Sequence, residues 1–408
     1  MSTPSRGQTA HAAPTVPVDR AIICMLLAVF GVGTVEYLVA GVLPEISGDV
    51  GVSEGTAGLL VTVYAVTVMI GGPLMTVATS SIRRTPLIVG SMALFIAGNV
   101  LTAFAPNFAV LVIARVITAL PHATFFAVCL VLATSLVEPE YQGRVIARIT
   151  LGLNLATVLG VPLGTLIGQQ IGWRASFLII AVFQAVVTVA LLASTRHAPE
   201  HRAGNITSEI TVFSRGPVLW AIGLTALSQA ALFVVFTYIA PYLTEVAGVA
   251  TEHITVVLFL FGLGSVLGNQ LGGYFADRSL DRTLYVALSA LTVALAVLFF
   301  AGEFRWFAIG WMFVLGAAGF SIIPPLASKL IGAAAEAPHL AATVNIAGFQ
   351  LANAAGAWIG SVTLGAGGGL GVLPLVGTAL AAAAVLLLAL ARRAAQPAPG
   401  PTSAVEVG

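Results

Sequence analysis

The sequence predicts an all-α membrane protein of twelve transmembrane helices, arranged as two parallel six-helix repeats, and three observations carry that prediction. Of 408 residues 58% are hydrophobic and only 8% charged, with a mean hydropathy of +1.02, more apolar surface than one soluble core can hide. Apolar runs of the roughly 20 residues that a ~30 Å hydrocarbon layer requires follow one another, separated by short polar breaks. Lys and Arg collect in alternate connections, as the positive-inside rule demands of a chain that crosses back and forth.

The runs predict helices over 21–43, 56–78, 86–105, 109–137, 146–169 and 174–194, then over 217–243, 253–276, 284–301, 306–330, 340–364 and 371–391. Residues 1–19 are polar, with no apolar stretch ahead of a small-residue cleavage site, so the first helix reads as an uncleaved anchor. The cations lie at Arg83 and Arg84, at Arg144 and Arg148, at Arg196, Arg202 and Arg215, at Arg278 and Arg282, and at Lys329. Arg6, Arg20, Arg392 and Arg393 in the two tails belong to the same side. The opposite connections hold only Arg174 and Arg305, and the first of them carries Glu45, Asp49 and Glu54 without a cation. Both termini are therefore expected in the cytoplasm, in an inner cytoplasmic membrane.

The polar stretch 195–216 reads as a cytoplasmic linker between a first bundle at 20–194 and a second at 217–391, with tails at 1–19 and 392–408. An internal repeat supports the division. Gly152, Asn154, Leu155, Ala156, Gly160 and Gly164 match Gly348, Gln350, Leu351, Ala352, Gly356 and Gly360 without a gap. Six helices per repeat make the halves parallel, with the substrate cavity expected between them at the midplane.

A formal net charge of +1 excludes a nucleic-acid or polyanion partner, which needs clustered basic surface. Cys24 and Cys129 lie inside apolar runs and read as small buried hydrophobes, so neither a disulfide nor a metal site is expected. No Walker sequence is present, and no nucleophile, metal cluster or carboxylate pair converges, so no enzyme is expected. The expected partners are the lipid bilayer, a small-molecule substrate and protons, with an ion gradient in place of any cofactor.

Glu36 lies in the first helix about seven residues from its outer end, roughly 10 Å deep at ~1.5 Å per residue. A carboxyl at that depth survives only facing a cavity, holding a partner or carrying a proton, which is the property that proton coupling needs. Arg115 falls at about the same depth in the fourth helix, so the two are expected to pair across the cavity, either as an exchangeable pair or as a fixed structural one. His122 follows two turns later on roughly the same face, beside Pro121, which should kink the helix. It reads as a proton relay, a substrate hydrogen-bond donor or a satisfied core histidine. Substrate contacts are expected from Gln229, Asn154 and Gln350 first, the latter two being equivalent in the repeat, and from Asn353. Tyr37, Phe233 and Tyr238 serve as apolar or stacking walls.

The turn Gly273-Tyr-Phe-Ala-Asp277-Arg278-Ser-Leu-Asp281-Arg282 resembles the G-x-x-x-D-R-x-x-x-R signature of the major facilitator superfamily. In that signature the acid caps a helix end and holds the inner gate closed. In the first half only Arg83 and Arg84 remain, with Thr79 and Met75 where the acid and glycine would stand. Gly152, Gly160-Val161-Pro162-Leu163-Gly164 and Gly168 resemble the superfamily's helix-five antiporter motif. Gly33 to Ile46, with Arg115, Ala119, His122, Gly172-Trp173-Arg174 and Phe177, is similar to its drug:proton antiporter branch, nearest to sugar-efflux and chloramphenicol-efflux transporters. The resemblance implies a monomer that exports a small neutral or weakly polar molecule (drug, antibiotic or sugar-like metabolite) by proton antiport. It leaves open uptake of a sugar or nucleoside, and a non-transporting membrane sensor.

Overall fold

A computed structural model describes residues 18–79, 81–195, 216–333 and 338–395. Residues 196–215 of the expected linker and most of both tails lie outside the described residues, as do the side chains of Asn345, Arg392 and Arg393. Every regular element among the described residues is helical. In chain order the membrane helices are α1 (Val18–Gly41), α2 (Glu54–Ala78), α3 (Arg84–Ala103), α4 (Phe108–Ser135), α5 (Gln142–Ile171) and α6 (Trp173–Thr195). The second six are α7 (Gly216–Phe236), α8 (Ile254–Ala276), α9 (Leu280–Ala301), α10 (Arg305–Leu330), α11 (Pro338–Gly365) and α12 (Leu373–Ala395). Among the described residues eleven of these are long and apolar enough to cross a membrane, and α11, at 28 residues, completes the twelve.

The expected spans fall on these helices, with local departures that have identifiable causes. The connection after α1 holds a further short helix, Leu43–Val50, started by Pro44 in its first turn and ended by Gly51 at φ 68°. That φ suits a residue without Cβ. The fourth span is broken into Phe108–Ala119 and His122–Ser135 around Leu120 and Pro121, because Pro121 has no N–H for the ladder. The fifth carries a π-helical turn, Ala156–Gly160, ahead of Pro162. After Phe236 the seventh span gives way to separate short turns at Ile239–Pro241 and Tyr242–Val246.

Lipid gives helices no hydrophobic reason to associate, so close packing of small residues does the work. Gly264, Gly268 and Gly272 of α8 lie directly against the Phe313, Ala317 and Ser321 carbonyls of α10. Gly152, Gly160, Gly164 and Gly168 of α5 face Leu26, Thr34, Leu38 and Val42 at and just beyond α1. These glycines of the fifth helix thus pack it against α1 within the first half.

We call the two ends of the bundle acidic and basic, after the charges of their connections. The halves meet toward the acidic end. There Thr62 Oγ1 donates to the Ala354 carbonyl at 3.4 Å, and Gly55 faces Ser361 across the α2–α11 seam. The Tyr238 ring lies over Gly58 and Gly360, its hydroxyl donating to the Ala357 carbonyl at 2.9 Å. Arg174 pairs with Asp49 of the short helix, donates to the Ala105 carbonyl at 2.9 Å and stacks on Trp173. One of the two cations expected at this end is thereby neutralised locally.

Candidate functional site

The seam ends at a cavity of about 210 Å³. Its walls come from the acidic-end third of α1, the middle of α4 and α7, and the basic-end portions of α5, α8, α10 and α11, so it extends from near the seam toward the basic end. Glu36, Tyr37, His122, Asn154, Gln229 and Gln350 line it, with Phe126, Phe320 and Phe349 as aromatic walls. A wider recess of about 640 Å³ lies at the acidic end beside Glu54 and Glu245, but the buried ionisable groups gather at the smaller one.

Glu36 is 4% exposed, and groups from both halves surround its carboxyl. Gln350 Nε2 donates to its Oε1 at 2.9 Å, which joins α1 to α11 across the molecule. His122 Nε2 stands 3.9 Å from its Oε2, and Tyr37 and Asn353 flank it. His122 is set by the break at Pro121 and held by Tyr64 of α2, whose hydroxyl lies 2.8 Å from Nδ1. A neutral His122 that accepts from Tyr64 at Nδ1 presents Nε2–H to the carboxyl. Three helices, α1, α2 and α4, therefore bring one acid, one histidine and one tyrosine into line.

The expected Glu36–Arg115 pair is corrected. Among the described residues no ion pair joins them; Arg115, 1% exposed, donates from Nη1 to the Val35 carbonyl at 3.1 Å and from Nε to the Leu60 carbonyl at 3.4 Å. Its guanidinium lies 4.1 Å from the Tyr64 ring centre. The cation is held beneath the array by backbone carbonyls and a π face. It balances the Glu36 charge through space.

Of the expected substrate contacts, Tyr37, Asn154, Gln229 and Gln350 line the cavity. Phe233, Tyr238 and Asn353 do not, and each departure has a packing reason. Phe233 stacks behind Tyr37 at 6.2 Å between ring centres, Tyr238 closes the acidic-end seam, and Asn353 sits behind the Glu36 carboxyl. Tyr64 was missed, since a tyrosine inside an apolar run carries no charge signal; the need of a buried hydroxyl for a partner was the available clue.

At the basic end Asp277 caps α8, its N–H bonded to the Gly273 carbonyl at 3.2 Å. Arg278 is spent on its own helix, donating to the Tyr274 carbonyl at 3.2 Å and hydroxyl at 2.6 Å and stacking on that ring. Asp281 pairs with Lys329 of α10 at 2.9 Å. Among the described residues no ion pair runs from Asp277, Arg278 or Arg282 to the first half, as fits a molecule closed at the other end. Arg83 precedes α3 and Arg84 opens it, with Arg84 Nη1 buried and unpaired.

Two six-helix halves closed at one end over a cavity with buried ionisable groups define a membrane transporter. The family model for the Major Facilitator Superfamily matches residues 25–357, and the chain belongs to that superfamily. It is 37% identical to the inner membrane transport protein YdhP of Escherichia coli (strain K12), over 92% of this chain and 97% of that one. It is 34% identical to a chloramphenicol resistance protein of Streptomyces lividans, over 90% and 94%. To a probable sugar efflux transporter of Pasteurella multocida (strain Pm70) it is 29% identical, over 83% and 84%. Among solved structures it shares its fold with a D-xylose–proton symporter, at a TM-score of 0.72 and 15% identity over 91% and 97% of the two chains. The chain is a transporter, not an enzyme, and such transporters need no cofactor.

Proposed function

We propose that this chain exports a small uncharged organic molecule in exchange for protons, by rocking of the halves 20–194 and 217–391 about the cavity, with Glu36 as the proton carrier. One observation carries the reading: the buried Glu36 carboxyl is bonded by Gln350 of the other half and faced at 3.9 Å by His122 of its own. A proton on Glu36 alters both contacts, and a solute that donates to the free Gln350 oxygen sits on the same amide that holds Glu36. His122 and Tyr64 form the relay, and Arg115 supplies the fixed compensating charge. Tyr37, Asn154, Gln229 and Gln350 receive substrate. The efflux-type relatives support the outward direction. Both termini lie in the cytoplasm of an inner-membrane monomer, which places the cavity on the cytoplasmic side in this state, and the Asp277 turn re-forms a cross-half contact when that side closes.

The test uses energised everted vesicles and a dye quenched by internal acid, with candidate drugs and sugars added to wild type and to Glu36→Gln. Substrate-dependent dequenching that disappears in the variant is expected. Further quenching would indicate symport. Dequenching of equal size in both proteins would remove Glu36 from the cycle.

A further inference from the structure

Four amides line the cavity; Asn154 and Asn269 keep both their donors and their acceptors, whereas Gln229 and Gln350 are held so that only acceptors are left. Gln350 spends its Nε2 on Glu36. Gln229 Nε2 donates to the Gly319 carbonyl of α10 at 3.2 Å. Neither amide is free to turn over, because a carbonyl can only accept and the carboxyl is met by the amide nitrogen. Their carbonyl oxygens are what remains, and both Gln229 Oε1 and Gln350 Oε1 are buried without a hydrogen-bond partner. A buried acceptor left unsatisfied costs about 1–3 kcal/mol, so each favours a ligand that donates to it.

The lining threonines point the same way. Thr150, Thr157 and Thr225 donate their hydroxyl hydrogens to the Ile146, Leu153 and Ala221 carbonyls of their own helices, at 2.8, 3.0 and 2.9 Å. Only lone pairs are left for the cavity. No Lys or Arg lines it among the described residues, and the one charged liner, Glu36, is compensated from behind by Arg115. An ionised ligand of either sign therefore finds no uncommitted counter-charge and bears its full desolvation cost.

We infer that the transported solute is an uncharged molecule with an apolar or aromatic body and at least two hydroxyl or amide hydrogens, and that Gln229 and Gln350 are the residues that select for those hydrogens. The inference rests on the cavity's being the substrate site, as proposed above, but not on proton coupling. Solutes whose donors are masked, or which carry a carboxylate, leave these two acceptors unsatisfied and bind more weakly.

The experiment is a competition assay on purified protein with tritiated 1-phenylethane-1,2-diol as the probe. Its competitors are the unlabelled diol, the dimethyl ether of the diol, and mandelate, which share the ring but lose the donors or gain a carboxylate. The diol should compete at about one-tenth the concentration of the ether, two lost hydrogen bonds of about threefold each, and mandelate should compete far more weakly than the diol. In Gln229→Leu and, separately, Gln350→Leu, the preference for diol over ether should shrink to about threefold. The assay reads binding to detergent-solubilised protein with no proton gradient, which separates this result from the fate of proton antiport. Equal competition by the ether or by mandelate, or absence of diol binding to the wild-type protein, would overturn the inference.

Discussion

Gly272 and Gly273 are adjacent in the signature turn of α8, and the structure assigns them opposite tolerances. A methyl built on Gly272 lands well inside contact distance of the Ser321 carbonyl and Cα of α10, whereas one built on Gly273 meets only Pro324 Cβ at 3.8 Å. For Gly272→Ala the shortfall is roughly 1 Å or more against the ~3.5 Å at which carbon contacts are optimal. Since backbone and not a flexible side chain stands in the way, α8 and α10 must separate. Overpacking of this kind costs about 1–3 kcal/mol, while replacing a mid-helix glycine by alanine returns about 1 kcal/mol. Gly272→Ala should therefore be destabilised by up to about 2 kcal/mol, and Gly273→Ala should be unchanged or stabilised by up to about 1 kcal/mol. Thermal unfolding of the purified proteins in one detergent, followed by tryptophan fluorescence, reads the difference directly. If the two variants unfold together, or if Gly273→Ala is the weaker, the α8–α10 packing argument is wrong.

Three further outcomes follow from individual contacts. Tyr64→Phe leaves His122 Nδ1 without its partner at a cost of about 1–3 kcal/mol; imidazole nitrogen NMR should show Nε2–H in the wild type and a mixed tautomer in the variant, and a wild-type Nδ1–H signal would refute the relay geometry. Arg115→Lys keeps the charge but cannot span the Val35 and Leu60 carbonyls while covering the Tyr64 ring, so transport should fall at least tenfold and the unfolding temperature should drop; wild-type transport would deny the guanidinium its place. Burial holds the Glu45 carboxyl above the usual carboxylate range, so the folded state prefers it protonated and loses that preference as pH rises from its unfolded value through its folded one. Glu45→Gln should accordingly stabilise the protein at pH 8 and have little effect at pH 4, measured as unfolding midpoints; a larger gain at pH 4 would reverse the sign.

Helix number and the twofold repeat were legible because hydropathy and cation placement are properties of a membrane chain independent of detail. Glu36 and His122 were legible for a related reason: ionisable groups deep in an apolar run must meet something. Which partner they meet was not. The Glu36–Gln350 bond joins residues 314 positions apart, and periodicity within either helix does not encode the angle between halves. Arg115 shows the limit of depth as a guide, since equal depth suggested a pair, while the backbone carbonyls exposed by neighbouring helices captured the guanidinium first. Phe233 and Tyr238 sit in an all-round apolar segment, where no polar face tells the cavity side from the packing side. The helix-five glycines were read correctly as small, but their partner, α1, became visible only in three dimensions.

The Glu36–Gln350 bond lies at the inner limit of the closed seam, with Thr62–Ala354 and Gly55–Ser361 progressively farther out. In a rigid tilt of one half against the other, displacement grows with distance from the fulcrum. The outer rungs would part by several ångströms while a contact beside the fulcrum changes by a fraction of that. A contact placed there changes its angle rather than being torn apart by each stroke. On the proposed coupling, a single hydrogen bond of about 1 kcal/mol, made or lost with one proton on Glu36, shifts the balance between the two tilts by about fivefold, a modest bias that glycine-packed halves carry to both mouths of the transporter.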